Sequence, residues 1–274
     1  PVPKGYRIRD IEDLEEILDR VGFPAVVKPL DGNHGKGATV GLRSLEDAQI
    51  AFEKAKEYSR WVIVEQQIEG ADFRALVVNN KLIAVAKRIP AHVVGDGKKT
   101  IQALIDETNA DPRRGYGHEN VLTQIEIDNQ TMRLLRAAGY ELDSVIPKGE
   151  ELFLKTTANI STGGTAIDLT DEVHPENVVL FERIARIIGL DVAGIDVIAT
   201  NVSEPLRENG GGIIEVNAAP GFRMHLAPSE GIGRNVAEHV IDMLFPPGAP
   251  SRVPIFAITG TNGKTTTARM LAHV

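Results

Sequence analysis

The 274-residue sequence contains no cysteine, which excludes disulfides, thiolate nucleophiles and thiolate metal ligands. It has no apolar run long enough to span a bilayer and no leader pattern at its start, so no membrane is expected as a partner and the cytoplasm is the expected compartment. It also lacks the basic surplus of a nucleic-acid binder: 38 Asp and Glu against 30 Lys and Arg leave a net charge of −8, and nucleic acid is not expected as a partner. A local basic cleft for an acidic substrate is compatible with that balance. No internal repeat is present.

What remains is ordinary globular composition, with 42% hydrophobic residues, enough for one large domain or two small ones. The chain starts at Pro1 without methionine and stops at Val274, shortly after what should be a helix start. It is expected to be a piece of something longer. Apolar spacing at Ile11, Leu14, Ile17 and Leu18 predicts a helix. Phe23–Pro29 reads as a short buried strand ending in Lys28, and Ser44 with Asp47 three residues on reads as the cap of a helix reaching Tyr58. Trp61–Glu65 is strand-like, and Asn79-Asn80 joins a hairpin. Residues 95–150 are more helical and polar. A helix at Pro175–Ile188, a strand with Asp196, a polar hairpin at 201–212, a strand with Glu215 and Asn217, and a helix at Gly233–Leu244 come next. Phe245–Pro250 reads as a linker, and Val253–Thr259 as a strand feeding the loop Gly260-Thr261-Asn262-Gly263-Lys264-Thr265-Thr266 and a helix start.

Asp196, Glu215 and Asn217 are oxygen donors on apolar strand-like segments, where carboxylates are costly unless a cation neutralises them. Glu215 and Asn217 share a strand face, and a hairpin at 201–212 predicts that Asp196 falls roughly opposite Asn217. Hard donors of this kind suit Mg²⁺. Upstream, Lys28 ends a strand within reach of a phosphate. The glycine loop with His34, Gly35, Lys36 and Gly37 could cover phosphates with its amides. Glu65, Gln67 and Ile68 sit on a strand-to-hinge segment suited to an adenine edge and ribose hydroxyls.

In order, these pieces resemble the ATP-grasp ligases: Val26-Val27-Lys28-Pro29, the glycine flap, Val64-Glu65 with the hinge, Gly70-Ala71-Asp72-Phe73-Arg74, Gly194-Ile195-Asp196 and Glu215-Val216-Asn217. The resemblance covers about residues 1–245. It implies an α+β fold in which two α+β subdomains with antiparallel sheets clamp the nucleotide, divided here as about 1–95 (nucleotide, with the flap) and about 96–245 (metal and substrate). It implies ATP and Mg²⁺ as cofactors, Lys28, His34, Gly35, Lys36, Gly37, Glu65, Gln67, Ile68 and Asp72 on the nucleotide, and Asp196, Glu215 and Asn217 on the metal.

After a linker at 246–254, residues 255–274 resemble the truncated start of a Mur ligase-like P-loop domain, a strand–loop–helix. Gly260, Asn262, Gly263, Lys264, Thr265 and Thr266 are its nucleotide-binding positions, departing from the strict P-loop pattern because Ile258 stands five before Gly263. Residues 251–274 are expected to be poorly ordered or docked adventitiously. The pairing of the two units is similar to the cyanophycin synthetases, a family that polymerises aspartate in the ATP-grasp domain and adds arginine through the Mur-like one. That resemblance implies aspartate and a poly-aspartate (cyanophycin) primer as partners, arginine for the missing domain, and a homo-oligomeric full-length parent.

On this basis Arg74 is expected at a phosphate or acyl-phosphate oxygen. Ser161, Gly163, Gly164 and Arg223 are expected near the tetrahedral oxyanion, where donors lower the barrier. Lys155 and His225 are further catalytic candidates. Three alternatives compete: a glutathione-type or D-alanyl ATP-grasp ligase, a non-catalytic nucleotide-binding module, and a P-loop NTPase centred on 260–267, whose core one strand and a broken helix cannot bury.

Overall fold

The computed structural model describes residues 1–31, 36–117, 119–252 and 255–273. The chain opens with β1 (Gly5–Ile8), a 3₁₀ turn, α1 (Leu14–Val21), β2 (Ala25–Pro29), β3 (Thr39–Leu42), α2 (Leu45–Lys56) and β4 (Val62–Gln66). The strands form an antiparallel sheet in the order β1-β4-β2-β3. Leu14, Ile17, Leu18 and Val21 fall on one stripe of α1 and pack with Ala48, Ala51, Phe52 and Ala55 of α2 over Val27, Val62 and Val64, the spacing that buries one helix face. Ser44 caps α2 as expected, its Oγ accepting the Asp47 N–H at 3.1 Å.

Next come β5 (Ala71–Val78) and β6 (Lys81–Ile89), β7 (His92–Val94), α3 (Ile101–Asn109), β8 (Arg114–Gly115), β9 (Leu122–Thr123), α4 (Asn129–Ala137) and β10 (Glu151–Phe153). Asn79 and Asn80 both take positive φ, 48° and 61°, the left-handed pair that a two-residue hairpin turn requires. Residues 91–154 gather a core of their own, with Ile101, Ile105, Leu135, Ile146 and Leu154 fully buried, and stand as a lobe beyond the end of β6. Then come β11 (Thr165–Asp168), α5 (Pro175–Ile188), β12 (Val192–Ala199), β13 (Gly212–Asn217), α6 (Arg223–Leu226), α7 (Val236–Leu244) and α8 (Lys264–Leu271).

A second antiparallel sheet runs β11-β6-β5-β12-β13. One face packs Phe73, Val85, Ile195, Val197 and Ile213 against Phe181 and Ala185 of α5. On the other, Leu76, Val78 and Ala84 meet Val236 of α7, and Ala86 and Ala166 meet Met224 of α6. This pairing crosses the expected division near residue 95. β5 and β6 lie in the middle of the second sheet, because β12 returns alongside β5 from Val192↔Val78 to Ala199↔Ala71. The hinge between the sheets is tight: Gly70 has φ +147°, and a Cβ there would sit 2.3 Å from the Ala199 carbonyl oxygen.

The strand expected over 253–259 does not form at its described residues, 255–259. A strand needs a neighbour, and Ile255 stands 89% exposed with Phe256 also in solvent. α8 comes after it with no buried residue. No described helix is long and apolar enough to cross a membrane.

One buried polar anchor joins α5 to the 201–212 connection. Asn177 Nδ2 donates to the carbonyls of Val202 (2.9 Å) and Glu204 (2.8 Å), and its Oδ1 accepts the Leu206 N–H at 3.0 Å. Asn177→Ala strands these groups and is expected to lower unfolding free energy by about 2–3 kcal/mol. A change under about 0.5 kcal/mol in urea titration would contradict this role.

Candidate active site

The polar half of the second sheet carries one row of charge. Directly opposed residues in an antiparallel pair share a face, and the register sets Arg88 opposite Asp72, Arg74 opposite Asp196, and Asp196 opposite Glu215. Asp196 therefore faces Glu215. The expected partner, Asn217, lies opposite Gly194 instead. β13 carries a bulge here: Val197 pairs with Ile213 and Asp196 with Glu215, so Ile214 is an extra residue and the partner of Asp196 is Glu215 instead of Ile214. Ile213 stays in the core while Ile214 and Glu215 both reach the open side, as bulges re-aim side chains.

Asp196, Glu215 and Asn217 line one cavity of about 580 Å³, together with Asp72, Arg74, Arg88, Thr156 and Asn159, and with Val40 from β3 on the opposite wall. Arg74 Nε donates to Asp196 Oδ1 and its Nη2 to Oδ2 at 3.1 Å. Arg88 Nη2 reaches Asp196 Oδ2 at 3.2 Å and Asp72 Oδ1 at 2.6 Å. Burial raises the Asp72 carboxyl above its ordinary value although Arg88 pulls the other way. Arg88 keeps its charge against burial because Asp72 and Asp196 flank it. Gly194 makes room for this packing, since a Cβ there would lie 2.5 Å from Pro220 and 3.1 Å from Arg74 Nη1.

The donor set suits a hard divalent ion. Glu215 has no ion-pair partner among the described residues, and the Asn217 side-chain nitrogen is buried without a hydrogen-bond partner. Among the described residues no three His, Cys, Asp or Glu side chains gather closely enough to hold a metal. An ion here would rely on two carboxylates, the Asn217 amide, and oxygens of water or phosphate.

On the first sheet, Lys28 Nζ bonds Glu65 Oε1 at 2.5 Å, so the two nucleotide candidates hold each other. Gln67 Oε1 accepts the Gly41 N–H at 2.5 Å, tying the hinge to β3. Ile68 packs on Gly212, where a Cβ would fall 2.2 Å from its Cδ1. Gly37 has φ +75° against Tyr58, Lys36 is exposed, and His34 and Gly35 lie outside the described residues.

Several expected catalytic groups stand elsewhere. The amides of Gly163 and Gly164 are spent inside their turn, on the carbonyls of Ile160 and Asn159 at 3.1 Å each. A backbone oxyanion hole at these two residues is thereby excluded in this conformation, while Ser161 is exposed. Lys155 is buried and pairs with Asp128 at 2.7 Å. Arg223 donates to the Asn120 carbonyl at 3.1 Å and to Thr123 Oγ1 at 3.2 Å. His225 is 2% exposed with no hydrogen-bond partner on either ring nitrogen, and is not a lining residue of the cavity. Burial and then the nearby Arg74 hold it down to about 4, outweighing Asp168, so it is neutral at pH 7 and poorly placed as an acid or base. In the tail, Lys264 Nζ turns back onto the carbonyls of Gly260 and Thr261, the latter at 3.3 Å. Gly263 takes φ 81° before α8, and Asn262, Thr265 and Thr266 are exposed.

This arrangement has relatives. Residues 1–81 match the family model of the ATP-grasp domain. A crystal structure of a bifunctional glutathione synthetase from Pasteurella multocida superposes with a TM-score of 0.65 at 32% identity, over 89% of this chain and 34% of that one. The fold is ATP-grasp. Over its whole length, tail included, the chain is 59% identical to the cyanophycin synthetase of Synechocystis sp., of which it covers 32%. Other cyanophycin synthetases match at 56–58% over the full chain. The glutathione biosynthesis bifunctional protein GshAB of Clostridium perfringens is 32% identical over 89% of the chain and 32% of its own length. The ATP-grasp chain thus spans about a third of the curated relatives it matches.

Two titrations test the local chemistry. Burial opposes the charge on Asp128, but bonds from Lys155 and the Thr131 N–H outweigh it and lower its carboxyl to about 2. A depressed carboxylate stabilises the fold above its ordinary value and loses that contribution as pH falls toward 2. Lys155→Met is expected to return the NMR midpoint of Asp128 to the usual carboxylate range; a midpoint staying near 2 would refute the pairing. For His225 the folded value lies below the unfolded one. Stability is therefore complete above about pH 6.5 and falls by on the order of 3 kcal/mol toward pH 4. His225→Leu should flatten that limb in denaturant titrations from pH 4 to 7, and an unchanged limb would assign it to other groups.

Proposed function

We propose that this chain is the ATP-grasp unit of a cytoplasmic ATP-dependent carboxylate–amine ligase of the cyanophycin synthetase type. It activates the C-terminal carboxylate of a poly-aspartate chain as an acyl-phosphate and joins the next aspartate through its α-amino group. The observation that carries this reading is the 59% identity to a cyanophycin synthetase across the entire chain, including residues 260–267. The glutathione-type alternative has less support, at 32% identity over 89% of the chain.

The residues divide the work. The hinge at Glu65, Gln67 and Ile68 receives adenine and ribose, and Lys28, released from Glu65, takes a phosphate with Lys36 of the flap. Asp196, Glu215 and Asn217 would hold Mg²⁺, which when bound would supply charge neutralisation for phosphoryl transfer. Arg74 and Arg88 hold the Asp196 side chain in place, and Arg74 would meet the acyl-phosphate oxygens. With the Gly163 and Gly164 amides engaged, Ser161 and Arg223 remain as donors to the oxyanion. The reaction is chiefly positioning, which suits a cavity whose polar side chains are locked by mutual ion pairs.

In the full-length parent, a homo-oligomer on this reading, Gly260, Asn262, Gly263, Lys264, Thr265 and Thr266 would complete the nucleotide loop of a Mur-like domain that adds arginine.

The test uses the parent protein with ATP, Mg²⁺ and a cyanophycin primer, given aspartate or arginine separately. Aspartate-dependent phosphate release is expected, and Glu215→Gln should reduce it by at least about 100-fold, equivalent to about 2.7 kcal/mol of barrier. Release with D-alanine or glutathione precursors in place of aspartate would replace this reading with another ligase. Nucleotide binding with no substrate-dependent turnover would reduce the chain to a sensor.

A further inference from the structure

Among the described residues, the buried arginines of the active-site row each have a carboxylate: Arg74 has Asp196, and Arg88 has Asp72 and Asp196. Arg114 is the exception. It is 8% exposed, yet its hydrogen bonds go to carbonyls, Thr123 O at 2.6 Å and Gly163 O at 2.9 Å, both from Nη1. Nε and Nη2 have no hydrogen-bond partner among the described residues, and neither is sealed from solvent. Burial lowers its pKa, and the nearby Asp111 carboxylate offsets this only in part. A second guanidinium, Arg223, approaches the same residue through Thr123 Oγ1, and it too has no carboxylate among the described residues.

Arg114 opens onto a cavity of about 340 Å³ between the 91–154 lobe and β11, lined also by His92, Glu107, Thr108, Gly163 and Thr165. The one carboxylate on that lining, Glu107, is held by Lys99 at 2.7 Å. The turn 159–165 separates this space from the active-site cavity, with Asn159 on one side and Gly163 on the other.

We propose that this second cavity is a carboxylate-binding subsite for the amino-acid or peptide substrate, with the free edge of Arg114 as its anchor. A planar guanidinium offering Nε and Nη2 side by side matches a carboxylate in a two-bond fork. The Thr165 hydroxyl on the same lining adds a donor, while that of Thr108 is spent on the Leu104 carbonyl at 2.8 Å. Because Nη1 of the same side chain holds the Gly163 carbonyl, an anion on the free edge is coupled to the turn that carries Ser161. That the anion is the ligase substrate rests on the proposed function; that the subsite takes a carboxylate does not.

The experiment follows the arginine side-chain signals of the ¹⁵N-arginine-labelled chain, with the Arg114 Nε–H assigned by its loss in Arg114→Lys. L-aspartate, a short poly-aspartate peptide and succinate are titrated separately. A saturable shift of the Arg114 signal is expected with at least one of them, and Arg114→Lys, which keeps the charge without the fork, should weaken binding about 10-fold or more. In the parent enzyme, Arg114→Lys should raise KM for the carboxylate substrate by a similar factor and leave ATP affinity within about two-fold. No shift with any of the three ligands, or an equal loss of ATP and carboxylate binding, overturns the subsite. A saturable shift in a protein without aspartate-dependent turnover retains the subsite and removes the ligase reading instead.

Discussion

The site depends on a ladder of alternating charge laid across four adjacent strands. Arg88, Asp72, Arg74, Asp196 and Glu215 reach from β6 to β13 on one face of the second sheet. Buried ions are tolerated when each has an opposite neighbour and its hydrogen bonds are filled. Glu215 ends the row without a cation, and there the surface opens. Beside it the Asn217 amide keeps an unpartnered buried nitrogen among the described residues, and this end of the row is where the proposed divalent ion would be held.

Everything around that row serves to hold it flat and accessible. α5 covers the opposite face of the sheet with Phe181 and Ala185, so the strands cannot rotate. α6 and α7 cover the apolar remainder of the polar face and stop short of the charges. The first sheet contributes Val40 to the far wall and is tethered through a hinge in which Gly70 and Gly212 leave space for Ala199 and Ile68. The division between the sheets therefore falls near that hinge, and the 91–154 lobe closes a different side.

Much of this was legible from residue order. Period-two spacing put Glu215 and Asn217 on one face, the Asn79-Asn80 pair announced the hairpin, and Ser44 announced its helix. What was hidden was register. Counting back from the hairpin turn sets Asp72 opposite Lys87; the irregularity after Leu76 shifts the count by one and brings Arg88 there instead. No spacing rule announces that shift, and Arg88 went unnoticed as a partner of Asp196. The bulge at Ile214 likewise sets Asp196 opposite Glu215, where an unbroken count from the Val197–Ile213 pair would set it opposite Ile214. The glycine turn at 161–165 reads as open backbone in sequence, but its amides had found carbonyls three and five residues back. Lys155 and His225 sit in polar surroundings that sequence cannot separate from catalysis: one serves a helix cap, the other is walled in.

The supernumerary Ile214 also limits how this region can tolerate insertions and deletions. The 201–211 connection is anchored by its ends, by Asn177, and by Val202 and Leu206, which are buried in the core beside Phe181. Between Gly212 and Asn217, Ile214 is the extra residue: its loss would leave Glu215 opposite Asp196 and Val216 on the core side, and would remove the local bend that a bulge imposes.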